Sequence, residues 1–197
     1  MSHFSKTGNL KLLVPLTAAI LIVAVGLVAL YGFNGMPNAQ VNEAQNDMQV
    51  NVGSGYPGMV DMVSASIEKN QSTLNATINV KEPVTALREK ESAQFDIIVI
   101  LENEQDVLQT YELRIDINAT GMFGLVQDVQ TKNQQPLQLN ADGHKLTITA
   151  VLGELNNATK AEWNIYSTYE KLAGNQIISS AYDFIPDEGL RTTNFGT

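Results

Sequence analysis

The stretch that most constrains this chain runs from Leu12 to Phe33, LLVPLTAAILIVAVGLVALYGF, and contains no charged side chain. An α-helix rises about 1.5 Å per residue, so about 20 apolar residues span the hydrocarbon core of a membrane. Pro15 lies near the start of the run, where a missing backbone N–H costs least. A buried core helix is a poor alternative for a terminal run so long and uniformly apolar. The stretch therefore predicts one transmembrane helix.

The charges on either side of this run predict its orientation. Lys6 and Lys11 precede it with no acidic residue, and a polar, acidic chain follows it. The positive-inside tendency then keeps residues 1–11 in the cytoplasm and exports the rest. We therefore expect a single-pass protein of the cell membrane, with its C-terminal domain extracytoplasmic.

Two alternatives for the apolar run stay open. A cleaved signal peptide usually has an apolar core of about 7 to 15 residues and a small-x-small cleavage site. Here the core is longer, and residues 37–39, PNA, are a poor match to that site. A prepilin-type leader needs a basic residue directly before Gly or Ala, whereas one residue separates Lys6 from Gly8.

Composition limits what the exported part can be. The chain has 197 residues, so one domain of useful size remains after the apolar run. All Asp and Glu lie beyond that run and the net charge is −9, which disfavours nucleic acid as a partner. Cysteine is absent, which excludes disulfides, thiolate nucleophiles, iron–sulfur clusters and blue-copper sites.

Residues 34–58 are rich in Asn, Gln, Gly and Pro, with few apolar residues. This composition predicts a flexible stalk between membrane and domain. An ordered strand from Met48 to Val52 is the alternative, because MQVNV alternates with the period of a β-strand.

Residues 59–190 alternate between apolar and polar with a period of two, interrupted by turn residues. Residues 94–101 are apolar on both faces and predict a central strand, which the polar turn ENEQD joins to a hairpin partner. Residues 152–158 predict one short helical turn, and residues 191–197 a tail. Seven to nine strands are expected, typical of an antiparallel β-sandwich of the immunoglobulin-like or jelly-roll type. The clearest are 73–80, 94–101, 111–118, 121–129, 144–151, 163–169 and 176–184.

Several short patterns carry a resemblance to known modules. They are an opening strand with Asp61, Ser64, Ala65 and Ser66, a strand with Ile115 and Asp116, a hairpin with Asp142, Gly143, Thr147, Ile148 and Thr149, and an end with Asp183, Pro186, Asp187 and Gly189. Together they resemble β-sandwich modules of prokaryotic, often archaeal, cell-surface proteins, similar to the DOMON and family-9 carbohydrate-binding-module group. The resemblance covers about residues 59–189 and implies a sandwich fold that binds sugar or haem.

Both implied ligands can be looked for in the sequence. Sugar binding needs aromatic platforms with polar neighbours, and the candidates are Trp163, Tyr166 and Tyr169. Trp163 is in phase with Ile165, as a core residue would be, whereas Tyr166 has the opposite phase and is the better exposed candidate. Haem would need axial ligands, but the exported part has a single histidine, His144, which follows a turn and is more simply a surface residue.

The acidic end of the domain is a weak candidate for calcium. Asp183, Asp187 and Glu188 lie near Gly189, and carboxylate oxygens are ligands that calcium prefers. The alternative is a solvated strand end. No other cofactor is expected.

Four N-glycosylation sequons lie beyond the apolar run, at Asn70, Asn75, Asn118 and Asn157. Asn75 and Asn118 are on the outward phase of their predicted strands, where a glycan would have to lie. About two sequons would be expected by chance at this Ser and Thr content, and the four present predict N-glycosylation.

The sequence lacks the parts of most enzymes. It has no Cys, no second exported His, no Gly-rich phosphate loop and no nucleophile elbow. We therefore expect a noncatalytic, membrane-anchored surface protein whose sandwich binds a glycan or a neighbouring protein. The alternative is a structural subunit that self-assembles into a filament or surface layer, or an accessory subunit whose helix packs in a larger membrane enzyme.

Overall fold

The computed structural model describes residues 41–42, 49–53, 55–186 and 189–195. The predicted membrane helix, Leu12 to Phe33, lies outside these residues. No helix in the described part of the chain is long and apolar enough to cross a membrane.

The described residues form thirteen β-strands and two short 3-10 turns, Gly58–Val60 and Leu155–Asn157, with no α-helix among them. The strands are β1 Val41–Asn42, β2 Gln49–Val52, β3 Met62–Asn70, β4 Thr73–Val80, β5 Glu91–Asn103, β6 Leu108–Asn118, β7 Gly121–Asp128, β8 Gln134–Pro136, β9 Gln138–Asp142, β10 Lys145–Val151, β11 Ala158–Ala173, β12 Gln176–Ile185 and β13 Arg191–Asn194.

These strands form two antiparallel sheets in a sandwich-like arrangement. The smaller sheet has five strands in the order β1-β3-β4-β10-β9. The larger has eight, in the order β2-β12-β11-β5-β6-β7-β8, with β13 also pairing with β11. The expected all-β, antiparallel fold is confirmed.

Alternation of side chains explains why the sheets pack against each other. In β4 the residues Leu74, Ala76, Ile78 and Val80 are buried, while the intervening Asn and Thr residues are half-buried. The predicted central strand is confirmed, because β5 lies between β11 and β6 and buries every second residue from Ala93 to Leu101. Its other face is apolar in part, since Ile98 and Ile100 lie there and are half-buried.

One carboxylate joins the two sheets. Asp183 on β12 of the larger sheet accepts a hydrogen bond from the backbone N–H of Met62 on β3 of the smaller sheet, at 2.7 Å. Its other oxygen accepts from the N–H of Phe184 at 2.9 Å. Asp183 is buried, so both bonds act in surroundings with little competing water.

The structure contains more strands than the sequence predicted. β2 lies within the segment expected to be a stalk, where a strand from Met48 to Val52 was the alternative, and it pairs with β12. β13 lies within the expected tail and pairs with residues 160–163 of β11. β8 and β9 are short and polar, so their sequences carry little of the alternation that marks a strand.

Candidate functional site

The outer face of the larger sheet carries three aromatic side chains in contact. Tyr166 on β11 lies 4.6 Å from Phe184 on β12, measured between ring centroids. Tyr182 lies 5.6 Å from Phe184, edge to face, and 6.2 Å from Tyr166. All three are half-buried, and we call them the aromatic platform.

Strand register places charged side chains directly beside this platform. Tyr166 is the cross-strand partner of Phe184 on one side and of Asp96 on the other. Asp96 in turn is the partner of Arg114 on β6. Because neighbouring strands lie about 4.8 Å apart, these side chains form one continuous row across four strands.

The charged side chains are linked to one another. Arg114 donates from Nε to Asp96 at 3.1 Å and from Nη2 to Glu112 at 2.9 Å. The amide of Gln94 donates to the second oxygen of Asp96. We call Gln94, Asp96, Glu112 and Arg114 the polar network. Each acidic side chain is less than one-fifth exposed, so the network is well shielded from solvent.

This shielding changes the ionisation of the site. Burial raises the pKa of Asp96, although the charge of Arg114 opposes the shift. Burial also raises the pKa of Asp116, which lies two residues from Arg114 on the same face. For Tyr166, burial and then the negative charge of Asp96 raise the pKa to about 12, so its hydroxyl is a proton donor at neutral pH.

The arrangement can recognise a ligand through both apolar and polar contacts. Aromatic rings offer an apolar surface for the C–H face of a sugar or for an apolar side chain of a protein. Carboxylates, an amide and a guanidinium next to them can hydrogen-bond hydroxyl or amide groups of the same ligand.

The other two aromatic candidates lie elsewhere. Trp163 is 1% exposed, in the core, and its indole N–H donates to the hydroxyl of Thr193 at 3.0 Å. Tyr169 is also buried on the inner face. Only Tyr166, of the three, lies on the outer face. Sequence reasoning missed Tyr182 and Phe184, although they alternate with the buried Asp183 and so share one face.

The predicted calcium ligands are only partly described. Asp183 is buried and bound to two backbone amides, while Asp187 and Glu188 lie outside the described residues. Within the described part of the chain, no three His, Cys, Asp or Glu side chains cluster closely enough to hold a metal ion. His144 is exposed, and its ring lies 3.2 Å from the carbonyl of Val80.

The four sequons differ in exposure. Asn70 and Asn157 are exposed. Asn75 is half-buried on the outer face of the smaller sheet and accepts a hydrogen bond from Thr149 at 2.8 Å. Asn118 ends β6 and accepts bonds from both the N–H and the hydroxyl of Thr120, the Thr of its own sequon.

No protein-family model, curated protein or solved structure matches this chain.

Proposed function

We propose that this chain is a noncatalytic cell-surface protein, anchored by Leu12 to Phe33, whose immunoglobulin-like or jelly-roll sandwich binds a surface glycan or a neighbouring protein. The N-terminus is cytoplasmic and the sandwich extracytoplasmic. The observation that supports binding is the aromatic platform beside the polar network.

The energetics of the outer face support a binding role. The half-buried aromatic rings face solvent, and a ligand that covers them buries more of their apolar area. Each Å² buried in this way contributes about 25 cal/mol to the free energy of binding. The polar network is already hydrogen-bonded before a ligand arrives, so little side-chain freedom is lost on binding. Asp96, Glu112 and Asp116 outnumber Arg114 as charges there, which favours neutral or cationic ligands over anionic ones.

The first test is binding by the full chain in mild detergent to arrays of neutral, acidic and amino-sugar glycans. Tyr166→Ala should weaken binding at least about tenfold, and Tyr166→Phe should keep the stacking part of it. Phe123→Ala is the matched control, because Phe123 is an exposed aromatic on β7, three strands away on the same sheet. An equal loss of glycan binding in Phe123→Ala would contradict the proposal. So would a parent chain that binds no glycan on the arrays and cross-links to no protein through position 166.

A second candidate function is a structural subunit. Val50 and Val52 of the terminal strand β2 are 46% and 45% exposed, and Ile177 and Ile178 beside it are 45% and 44% exposed. A sheet edge with exposed aliphatic side chains is a template for strand addition by a second chain. Purification from the native membrane in mild detergent, with sizing and mass spectrometry, separates the two: a ladder of self-oligomers or fixed-ratio partners would favour the subunit.

A further inference from the structure

A groove of about 520 Å³ lies at one end of the larger sheet. The end of β5 and start of β6, the turn after β7, and the connection from β10 to β11 converge there. None of the aromatic platform or the polar network lines it. It is therefore a surface separate from the outer face.

The groove forms because the larger sheet has the longer strands. β5 and β11 have 13 and 16 residues, whereas β4 and β10 of the smaller sheet have 8 and 7. The inner face of the larger sheet thus continues past its cover. Beyond the edge of the smaller sheet, the side chains on this inner face change from apolar to polar. On β5 the next residue on the same face after Leu101 is Asn103, and on β6 half-buried Gln109 comes before buried Tyr111.

Four polar side chains of the groove are amides. Asn103, Gln109, Asn133 and Gln135 all line it. An amide side chain offers both a donor and an acceptor, which is the pairing that a peptide backbone presents. The oxygen of Asn103 already accepts from the N–H groups of Gln105 and Val107, so Asn103 offers its NH₂ group. Gln109 is held in place, since its amide donates to Asp128 at 2.8 Å.

The charges of the groove have one sign. Glu102, Asp128 and Glu154 line it, and its lining includes no Lys, Arg or His. Lys160 pairs with Glu102 at 2.7 Å without being part of that lining. The groove therefore favours a cationic occupant and disfavours an anionic one.

The apolar part of the groove is aliphatic. Val107 and Val151 on its rim are 55% and 54% exposed, while its one aromatic residue, Tyr111, is buried. A saccharide prefers aromatic faces, whereas aliphatic side chains of a peptide pack well against exposed valines. The lining thus distinguishes this groove from the aromatic platform.

We infer that this groove binds an extended segment of a partner protein in which aliphatic residues alternate with Lys or Arg. The aliphatic side chains contact Val107 and Val151, the backbone bonds to the amides, and the cations face Glu102, Asp128 and Glu154. This site is independent of the proposed function, and either one can fail without the other.

The test uses the full chain in mild detergent and fluorescent octapeptides. One alternates Val with Lys, one Val with Glu, and one Ser with Lys; cellohexaose is the saccharide probe. The Val-Lys peptide should bind at least about tenfold more tightly than either other peptide. Equal binding of Val-Glu or of Ser-Lys would overturn the inference, as would displacement of the peptide by cellohexaose.

Two variants assign binding to the groove. Gly153 lines it, has no positive φ, and has open space where a Cβ would lie, so Gly153→Trp places a large ring at the groove without a clash at its Cβ. Val151→Lys adds a positive charge at an exposed position of the groove, which keeps the test valid if the first variant folds poorly. Both should weaken Val-Lys binding at least about tenfold.

Matched controls make the same changes elsewhere. Gln138→Trp adds the same ring at an exposed position of β9, and Val52→Lys adds the same charge at an exposed position of β2. Both should bind the peptide within about twofold of the parent chain. Tyr166→Ala should also leave peptide binding unchanged. If Tyr166→Ala instead lost peptide binding, the peptide would bind at the outer face, and the assignment to the groove would be wrong.

Discussion

Asp183→Ala should destabilise the sandwich more than any surface carboxylate does. The substitution removes the acceptor that joins β12 to the N–H of Met62 at 2.7 Å and to that of Phe184 at 2.9 Å. Met62 is fully buried, so its N–H is left without an acceptor and away from water. Asp183→Asn keeps one acceptor oxygen but turns an NH₂ group toward the second donor, so it should have an intermediate effect.

The magnitude follows from the two bonds. A hydrogen bond to a charged group contributes about 1.5 to 3 kcal/mol, and an unpaired buried donor costs about 1 to 3 kcal/mol. Phe184 is half-buried whereas Met62 is fully buried, so we count only the bond to the Met62 N–H in full. We expect Asp183→Ala to lower the free energy of unfolding by about 3 kcal/mol, out of about 5 to 15 for a typical domain.

Urea unfolding followed by tryptophan fluorescence measures this loss. The chain has a single Trp, Trp163, in the core of the sandwich, so its signal reports on that domain even in the full chain in detergent. Asp142→Ala, at an exposed position of β9, is the matched control and should change stability by less than about 0.5 kcal/mol. A loss below about 1 kcal/mol for Asp183→Ala would refute the reasoning. Stabilisation of the parent chain by calcium, absent from Asp183→Ala, would instead make this carboxylate a calcium ligand.

Three further predictions concern the core, the outer face and the sequons. Trp163→Phe should cost about 1 to 3 kcal/mol by circular dichroism, because a cavity and an unpaired hydroxyl replace a filled, bonded site. Burial raises the pKa of Asp96 in the folded state. Above that pKa the charged carboxylate lowers the stability of the fold, and this loss disappears as the pH falls and Asp96 is protonated. In thermal melts at pH 7, Asp96→Asn should therefore be no less stable than the parent chain. As the pH falls toward about 4, the stability of the parent relative to Asp96→Asn should increase. Peptide mapping of protein from its native host should find higher glycan occupancy at exposed Asn70 and Asn157 than at half-buried Asn75.

Strands with strict alternation could be predicted from the sequence. β4 was expected at residues 73–80 and has those bounds, because every second residue is apolar and every other one is polar. β5 and β6 were expected as a hairpin and form one. The predicted helical turn contains the 3-10 turn Leu155–Asn157. Local pattern decides these elements, so sequence reasoning reaches them.

The remaining elements depend on partners that are distant in sequence. β13 exists because residues 191–194 pair with β11, and β2 because residues 49–52 pair with β12. β13 has no strong pattern of its own, and the alternation in β2 indicated a strand only as the alternative to a stalk. The aromatic platform has the same origin: Tyr166 was found from its phase, but its contact with Phe184 depends on the register between β11 and β12. Register is fixed by packing and turns together, which a single sequence does not reveal.

Two carboxylates on the larger sheet show how location changes the role of one residue type. Asp183 is on the inner face and accepts two backbone amides, so its charge is compensated where it is buried. Asp96 is on the outer face and bonds to Gln94 and Arg114, yet burial still raises its pKa. Its charge thus costs the free domain stability instead of adding to it. Under the proposed function, a ligand that donates hydrogen bonds or brings positive charge to Asp96 would offset that cost.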